Sequence, residues 1–197
     1  MAVLFSLLTL ATTVPAAAAG GPRVTNSQYG FTFVLPAGWH QVSLDPSSMG
    51  DLLGPHAKVS SSLHQALASE AAAQKTKGVI AFALASRLDQ GGSFPNLNVS
   101  LQKGITPTTR QLEAGLKVGL AQAGATSISA KVVRYRYGAA VVGTYAQSDA
   151  QSSTGRIYGV QIYIAHGSRL LIMTLTSANQ GAVDQAGTTV SSTLHFT

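Results

Sequence analysis

Apolar and polar positions alternate in short runs near the start of this 197-residue chain and again through its later half, with helical spacing in between and at the end. In Val24 to Leu35 a turn signal at Asn26 to Gln28 is followed by Phe31, Phe33 and Leu35 alternating with Gly30, Thr32 and Val34. That pattern predicts the second strand of a hairpin. Pro36-Ala37-Gly38 breaks the strand, Trp39 and Val42 continue the apolar content, and Asp45-Pro46-Ser47-Ser48 predicts a loop. From Ser61 to Gln74 the positions Leu63, Ala66, Leu67 and Ala71 recur at helical spacing, with Gly78 placed to stop the helix. Gly78 to Ser86 is nearly continuous in apolar residues and predicts a strand covered on both faces, in the middle of a sheet. After the Gln90-Gly91-Gly92-Ser93 turn, Leu97, Val99 and Leu101 alternate with Asn96, Asn98, Ser100 and Gln102, so one face of the next strand is apolar and the other polar.

A second helix is expected from Thr106-Pro107, with Thr106 as cap and Pro107 in the first helical position. Leu112, Leu116 and Leu120 line one face of it before Gly124. Four extended segments follow, Ser127 to Tyr137, Ala139 to Gln147, Arg156 to His166 and Arg169 to Thr176, joined by short turns. Connections of that length suffice only for antiparallel neighbours, so the segments predict a meander. Ala182, Val183, Ala186, Val190 and Leu194 predict an amphipathic terminal helix over Ala178 to Leu194.

Composition adds a compartment. Residues 1–19 hold an apolar run from Val3 to about Val14, then Pro15 and alanines, which predicts a secretory signal peptide preceding one domain over residues 20–197. The run is shorter than the ~20 residues of a membrane span, so no integral span is expected once the signal is removed. No Lys or Arg precedes the apolar core, and an uncleaved N-terminal anchor is the alternative. Absence of cysteine excludes a disulfide framework, thiol catalysis, Cys-rich metal sites and a lipidated N-terminus. Thirteen Lys and Arg against seven Asp and Glu make the chain basic, which suits anionic wall polymers or lipid headgroups as well as solubility. No Lys/Arg-rich run or nucleic-acid motif is present, and no nucleic-acid partner is expected.

The order of elements, together with Tyr29, Gly30, Phe31, Pro36, Gly38 and Trp39 in YGFTFVLPAGW and Pro95-Asn96-Leu97-Asn98-Val99, resembles the PsbP-like superfamily. Within it the chain looks most like the secreted actinobacterial lipoproteins of the LpqN type, from which it differs by lacking the lipidated cysteine. The resemblance implies an α+β fold in which an antiparallel sheet is sandwiched between helices (an α/β/α sandwich). It also implies binding or assembly roles at membranes and envelopes. Fold likeness alone does not transfer a function.

Chemistry-bearing patterns are sparse. Ser100-Leu101-Gln102-Lys103 matches S-x-x-K, but on a strand the serine and lysine point to opposite faces, and the companion S-D-N and K-T-G elements are missing. His40, His56, His64, His166 and His195 form no compact ligand pair, and the carboxylates are isolated, with Asp45, Asp89 and Asp149 among turn residues. No catalytic residue, metal or cofactor is expected. The strongest surface signal is aromatic: Arg134, Tyr135, Arg136 and Tyr137 near a hairpin turn, with Tyr145, Tyr158 and Tyr163 on neighbouring strands. Arg134, Tyr135, Arg136, Tyr137, Tyr145 and Tyr163 are therefore the candidate recognition patch. The function expected is a secreted or envelope non-catalytic binding module, its partner an envelope protein, wall polymer or lipid. A carrier of a lipid or apolar small molecule in a cleft between helix and sheet is the alternative, and a hydrolase with a dispersed site ranks last.

Overall fold

Alternating apolar residues build two antiparallel sheets in this computed structural model, which describes residues 20–44, 61–150 and 152–197. The predicted signal segment and the Asp45 to Ser48 loop lie outside the described residues, as do the side chains of Leu63, Ala66 and Leu67. In chain order the elements are β1 (Arg23–Asn26), β2 (Phe31–Val34), β3 (Trp39–Val42), α1 (Ser61–Thr76), β4 (Val79–Ala85), β5 (Asn96–Lys103), α2 (Thr109–Gln122), β6 (Thr126–Tyr135), β7 (Gly138–Ser148), β8 (Arg156–His166), β9 (Arg169–Ser177), α3 (Gln180–Thr193) and β10 (His195–Phe196).

The larger sheet has seven strands in the order β3-β4-β5-β9-β8-β7-β6, and the smaller has three, β1-β2-β10. Strands β6 to β9 form the expected meander, and β5 joins it beside β9, pairing Lys103 with Arg169 and Asn96 with Thr176. β4 is indeed covered on both faces, but it stands second in the sheet, because among the described residues short β3 is the only strand beyond it. The β1–β2 hairpin is completed not by the large sheet but by β10, two residues after the terminal helix.

Period-two alternation sends β-residues to two cores. On one face Leu97, Val99, Val160, Ile162, Ile164, Leu171, Met173 and Leu175 meet Val183, Ala186, Val190 and Leu194 of α3 and the aromatic face of the small sheet, Phe31, Phe33 and Leu35, with Trp39 buried among them. On the other face, Phe82 and Leu84 meet Ala71 of α1, while Val141, Tyr145 and Leu170 meet Leu112, Leu116 and Leu120 of α2. The result is the expected α/β/α sandwich.

Local signals set the element ends. Trp39 N–H donates to the Pro36 carbonyl (3.2 Å) across a turn in which Gly38 adopts φ 77°, a conformation that favours glycine. The cap of α2 is Thr108, not Thr106: its side chain accepts from Gln111 N–H, and Gln111 returns the bond to the Thr108 backbone. A capping box needs Glu or Gln three residues on, and Thr106 has only Thr109 there. Asp89, a turn residue, accepts from the Gly91 and Ser93 amides through Oδ1 and from Ser177 Oγ and the Ala178 amide through Oδ2, fixing the β4–β5 loop to the start of α3.

Candidate functional site

Strand alternation divides the tyrosines that the sequence groups together. Tyr145 shares its face with Val141 and packs under Leu112, Leu116 and Leu120, where it is 8% exposed. Its ring occupies the space over Gly159, the residue opposite it in β8; an added Cβ there would stand 2.0 Å from the ring. Tyr163, opposite Val141 and Ile172, joins the same core. Burial raises both phenols above their ordinary pKa, and for Tyr145 the neighbouring Tyr163 adds to it. These two belong to packing beneath α2, so the six-residue patch is not continuous: Tyr145 and Tyr163 occupy one face, and Tyr135 with Tyr137 the other.

On the α3 face the remaining residues do come together. Tyr135 ends β6, Arg136 and Tyr137 form the two-residue turn, and Gly138 opposite Tyr135 begins β7. The Tyr135 and Tyr137 rings stack at 5.1 Å, Phe196 of β10 meets Tyr137 edge-on at 6.0 Å, and His166 stacks on Phe196 at 4.1 Å. The row is half-buried except for His166, which is exposed, as are Arg134 and Arg136. Burial, then the nearby Tyr135, pushes the Tyr137 phenol well above the ordinary tyrosine value, and no protein group among the described residues reaches its oxygen. Arg134 has the parity of Ala130 and Val132 and so leaves β6 on the α2 side.

The row opens into a groove. α3 packs over β8, β9 and β2, and among the described residues the same face of β6 and of the middle of β7 beside it stays partly open, with Val133, Tyr135, Val142 and Thr144 half-buried. Val133, Tyr135, Val142 and Val160 give this trough an apolar floor, with Asp184, Gly187, Thr188 and Ser191 of α3 as one wall and Lys131 at the rim; its volume is about 310 Å³. Past Thr144 and Asp184 it continues into a hollow of about 180 Å³ beside Arg156 and Tyr158, near the β6 bulge where Ser127 has φ 52°. Such a surface can hold an extended apolar or mixed ligand by contact with its floor and by hydrogen bonds to the α3 hydroxyls.

The other candidates do not converge on it. Ser100 and Lys103 leave β5 on opposite faces, and Lys103 lies 5.5 Å over the Tyr29 ring. Among the described residues no three His, Asp or Glu side chains are grouped to hold a metal. His166 and Phe196 were outside the predicted patch. His166 could have been included as the turn residue next to Arg169, but nothing in the sequence marks Phe196 as the partner of Tyr137, because that contact depends on β10 pairing with β2.

No family model matches the chain, and no curated protein sequence matches it. Among solved structures it is similar to the cyanobacterial PsbP protein CyanoP of Synechocystis sp. PCC 6803, at 16% identity and a TM-score of 0.53, covering 95% of this chain and 99% of that one. It is also similar to the Ran-binding protein Mog1p of Saccharomyces cerevisiae, at 12% identity and a TM-score of 0.52, covering 89% of this chain and 94% of that one. The fold is thus PsbP-like, shared with Mog1.

Proposed function

We propose that this protein is a non-catalytic interaction module that works outside the cytoplasm or in the cell envelope, and that it recognises its partner through the groove beside α3 and the aromatic row at its end. The observation that carries this reading is the stacked, half-buried Tyr135–Tyr137 pair leading into an apolar-floored trough on the partly open face of the sheet. Tyrosine with flanking arginine is the composition that dominates binding energy at protein interfaces. Mog1p, of like fold, is a Ran-binding protein, which supports a protein partner. Export by residues 1–19 and kinship with LpqN-type envelope proteins are part of the same reading, resting on the sequence pattern alone.

The groove's apolar floor also favours a second reading, a carrier of a lipid or apolar small molecule. Native mass spectrometry of the protein isolated from its own host separates the two. A mature chain without a retained small molecule, together with crosslinking to a protein partner that Tyr135→Ala abolishes, is the expected result. A reproducible stoichiometric small-molecule adduct would instead establish the carrier. Crosslinking that Tyr135→Ala leaves intact would remove the groove from the binding surface.

A further inference from the structure

Among the described residues, one end of the sandwich gathers cations without a paired carboxylate, whereas the other end mixes Arg23, Arg87 and Arg156 with aspartates. Four connections meet at one end: the β1–β2 turn, the Gly104–Ile105 segment after β5, the Arg136–Tyr137 turn and the Gly167–Ser168 turn. They are tied together by Gly104 N–H to the Ser168 carbonyl (2.8 Å), Arg169 Nη1 to the Tyr29 carbonyl (3.2 Å), Lys103 over the Tyr29 ring and Thr197 N–H to the Gly30 carbonyl (3.0 Å). This tip presents Lys103, Arg134, Arg136 and Arg169, and Lys77, just before β4, stands at the same end of the sheet; all are exposed. Among the described residues no carboxylate lies within ion-pair distance of any of them; the nearby Glu113 is taken by Lys117 at 2.7 Å. Asp89, Asp149 and Asp184 belong to the opposite end, after β4, after β7 and at the start of α3.

Like charges gathered without counter-charges repel one another, and an anionic surface relieves that repulsion. Between the cations stand half-buried Tyr29, Tyr137 and Phe196 and the exposed Ile105. Aromatic rings at the level of the headgroups and a short apolar residue beyond them are the side chains that settle at a membrane–water boundary. The tip joins the ends of several antiparallel strands, so its cations and rings are brought to one side of the sandwich from segments far apart in the chain. We propose that this end of the fold docks on a membrane surface rich in anionic lipid. It adjoins the groove and shares Tyr137 and Phe196 with the aromatic row, whereas the Val133–Val142 floor and the α3 wall belong to the groove alone; vesicle binding and partner crosslinking therefore report the two assignments independently.

The test is flotation of the full protein with vesicles of phosphatidylcholine, with and without phosphatidylglycerol, at low and high salt. Two double variants of equal charge change are compared, Arg134→Glu with Arg136→Glu at the tip, and Arg23→Glu with Arg87→Glu away from it, all four positions being exposed. The expected result is salt-sensitive binding that requires phosphatidylglycerol, weakened at least about tenfold by the tip variant and changed less than about twofold by the other. Equal losses in both variants would reduce the effect to net charge and overturn the assignment of the tip. So would binding indifferent to phosphatidylglycerol, or capture by a soluble anionic wall polymer in preference to the vesicles. Circular dichroism of both variants confirms that a loss is not unfolding.

Discussion

The two faces of the seven-stranded sheet use the same residue type to opposite ends. Under α2, Tyr145 lies on Gly159 and beneath three leucines, and its exposure falls to 8%. Beside α3, Tyr135 and Tyr137 stack on each other and on Phe196 but keep an open side along the groove. The difference comes from which strands each helix covers. α2 lies directly over β6 and β7, whereas α3 is displaced toward β8 and β9 and packs also on β2. A tyrosine on β7 pointing one way is therefore core, and a tyrosine on β6 pointing the other way is surface available for recognition.

The largest contrast is expected in stability. Leu116 is fully buried, and Leu116→Ala leaves a cavity beneath α2 that costs about 2–5 kcal/mol. Tyr135→Ala, from a half-buried site, is expected to cost less than half as much in the same urea titration. Equal costs would mean that the groove side is as tightly built as the α2 side. A sharper version uses the ring on the glycine. Gly159→Ala pushes a methyl into the Tyr145 ring and is expected to destabilise by about 1–3 kcal/mol. In the Tyr145→Ala background the same change should cost little, a non-additivity that a double-mutant cycle measures directly.

Alkaline pH reports burial on both faces, because the Tyr137 phenol beside α3 is raised as well as those of Tyr145 and Tyr163 beneath α2. The Tyr145 and Tyr163 phenols are held above the ordinary value of about 10, so above that pH the unfolded chain releases protons that the folded chain keeps. Fewer protons are then bound in the unfolded state, and stability falls as pH rises from about 10 through the folded values. Below about pH 10 the contribution is complete. Tyr145→Phe, which cannot ionise, should flatten this decline in urea midpoints and remove one late-titrating phenol from the ultraviolet absorbance of the folded protein. An unchanged slope would mean that the ring beneath α2 is as wet as one in the open chain.

The strands and helices were legible because each rests on a local period or breaker: Leu112, Leu116 and Leu120 for α2, the Asn96 to Gln102 alternation for β5, Pro36 and Gly38 for the turn before β3. What sequence alone could not show were features set by long-range pairing. Joining β5 to β9 and seating β10 on β2 each depend on partners far apart in the chain, which no local pattern encodes. The candidate site was half legible for the same reason. Parity assigns Tyr135 and Tyr145 to opposite faces only once the pairing of Tyr135 with Gly138 is known, because Tyr145 then stands an odd number of residues along β7 from Tyr135's partner.

The smallest expected effect on stability tests the groove most directly. Thr188 is exposed on α3 and lines the trough, and it does not belong to any of the packed cores. Thr188→Trp should change stability by no more than about 0.5 kcal/mol, as surface substitutions away from packing features do. Its indole nevertheless has the size to fill much of the space between α3 and the Val133–Val142 floor. Partner crosslinking, or retention of a cargo, should then be lost in a protein whose urea midpoint is that of the parent. Recognition that survives the blocked groove would move the functional surface elsewhere, and the aromatic row would be read as packing for β10, in the way Tyr145 is packing for α2.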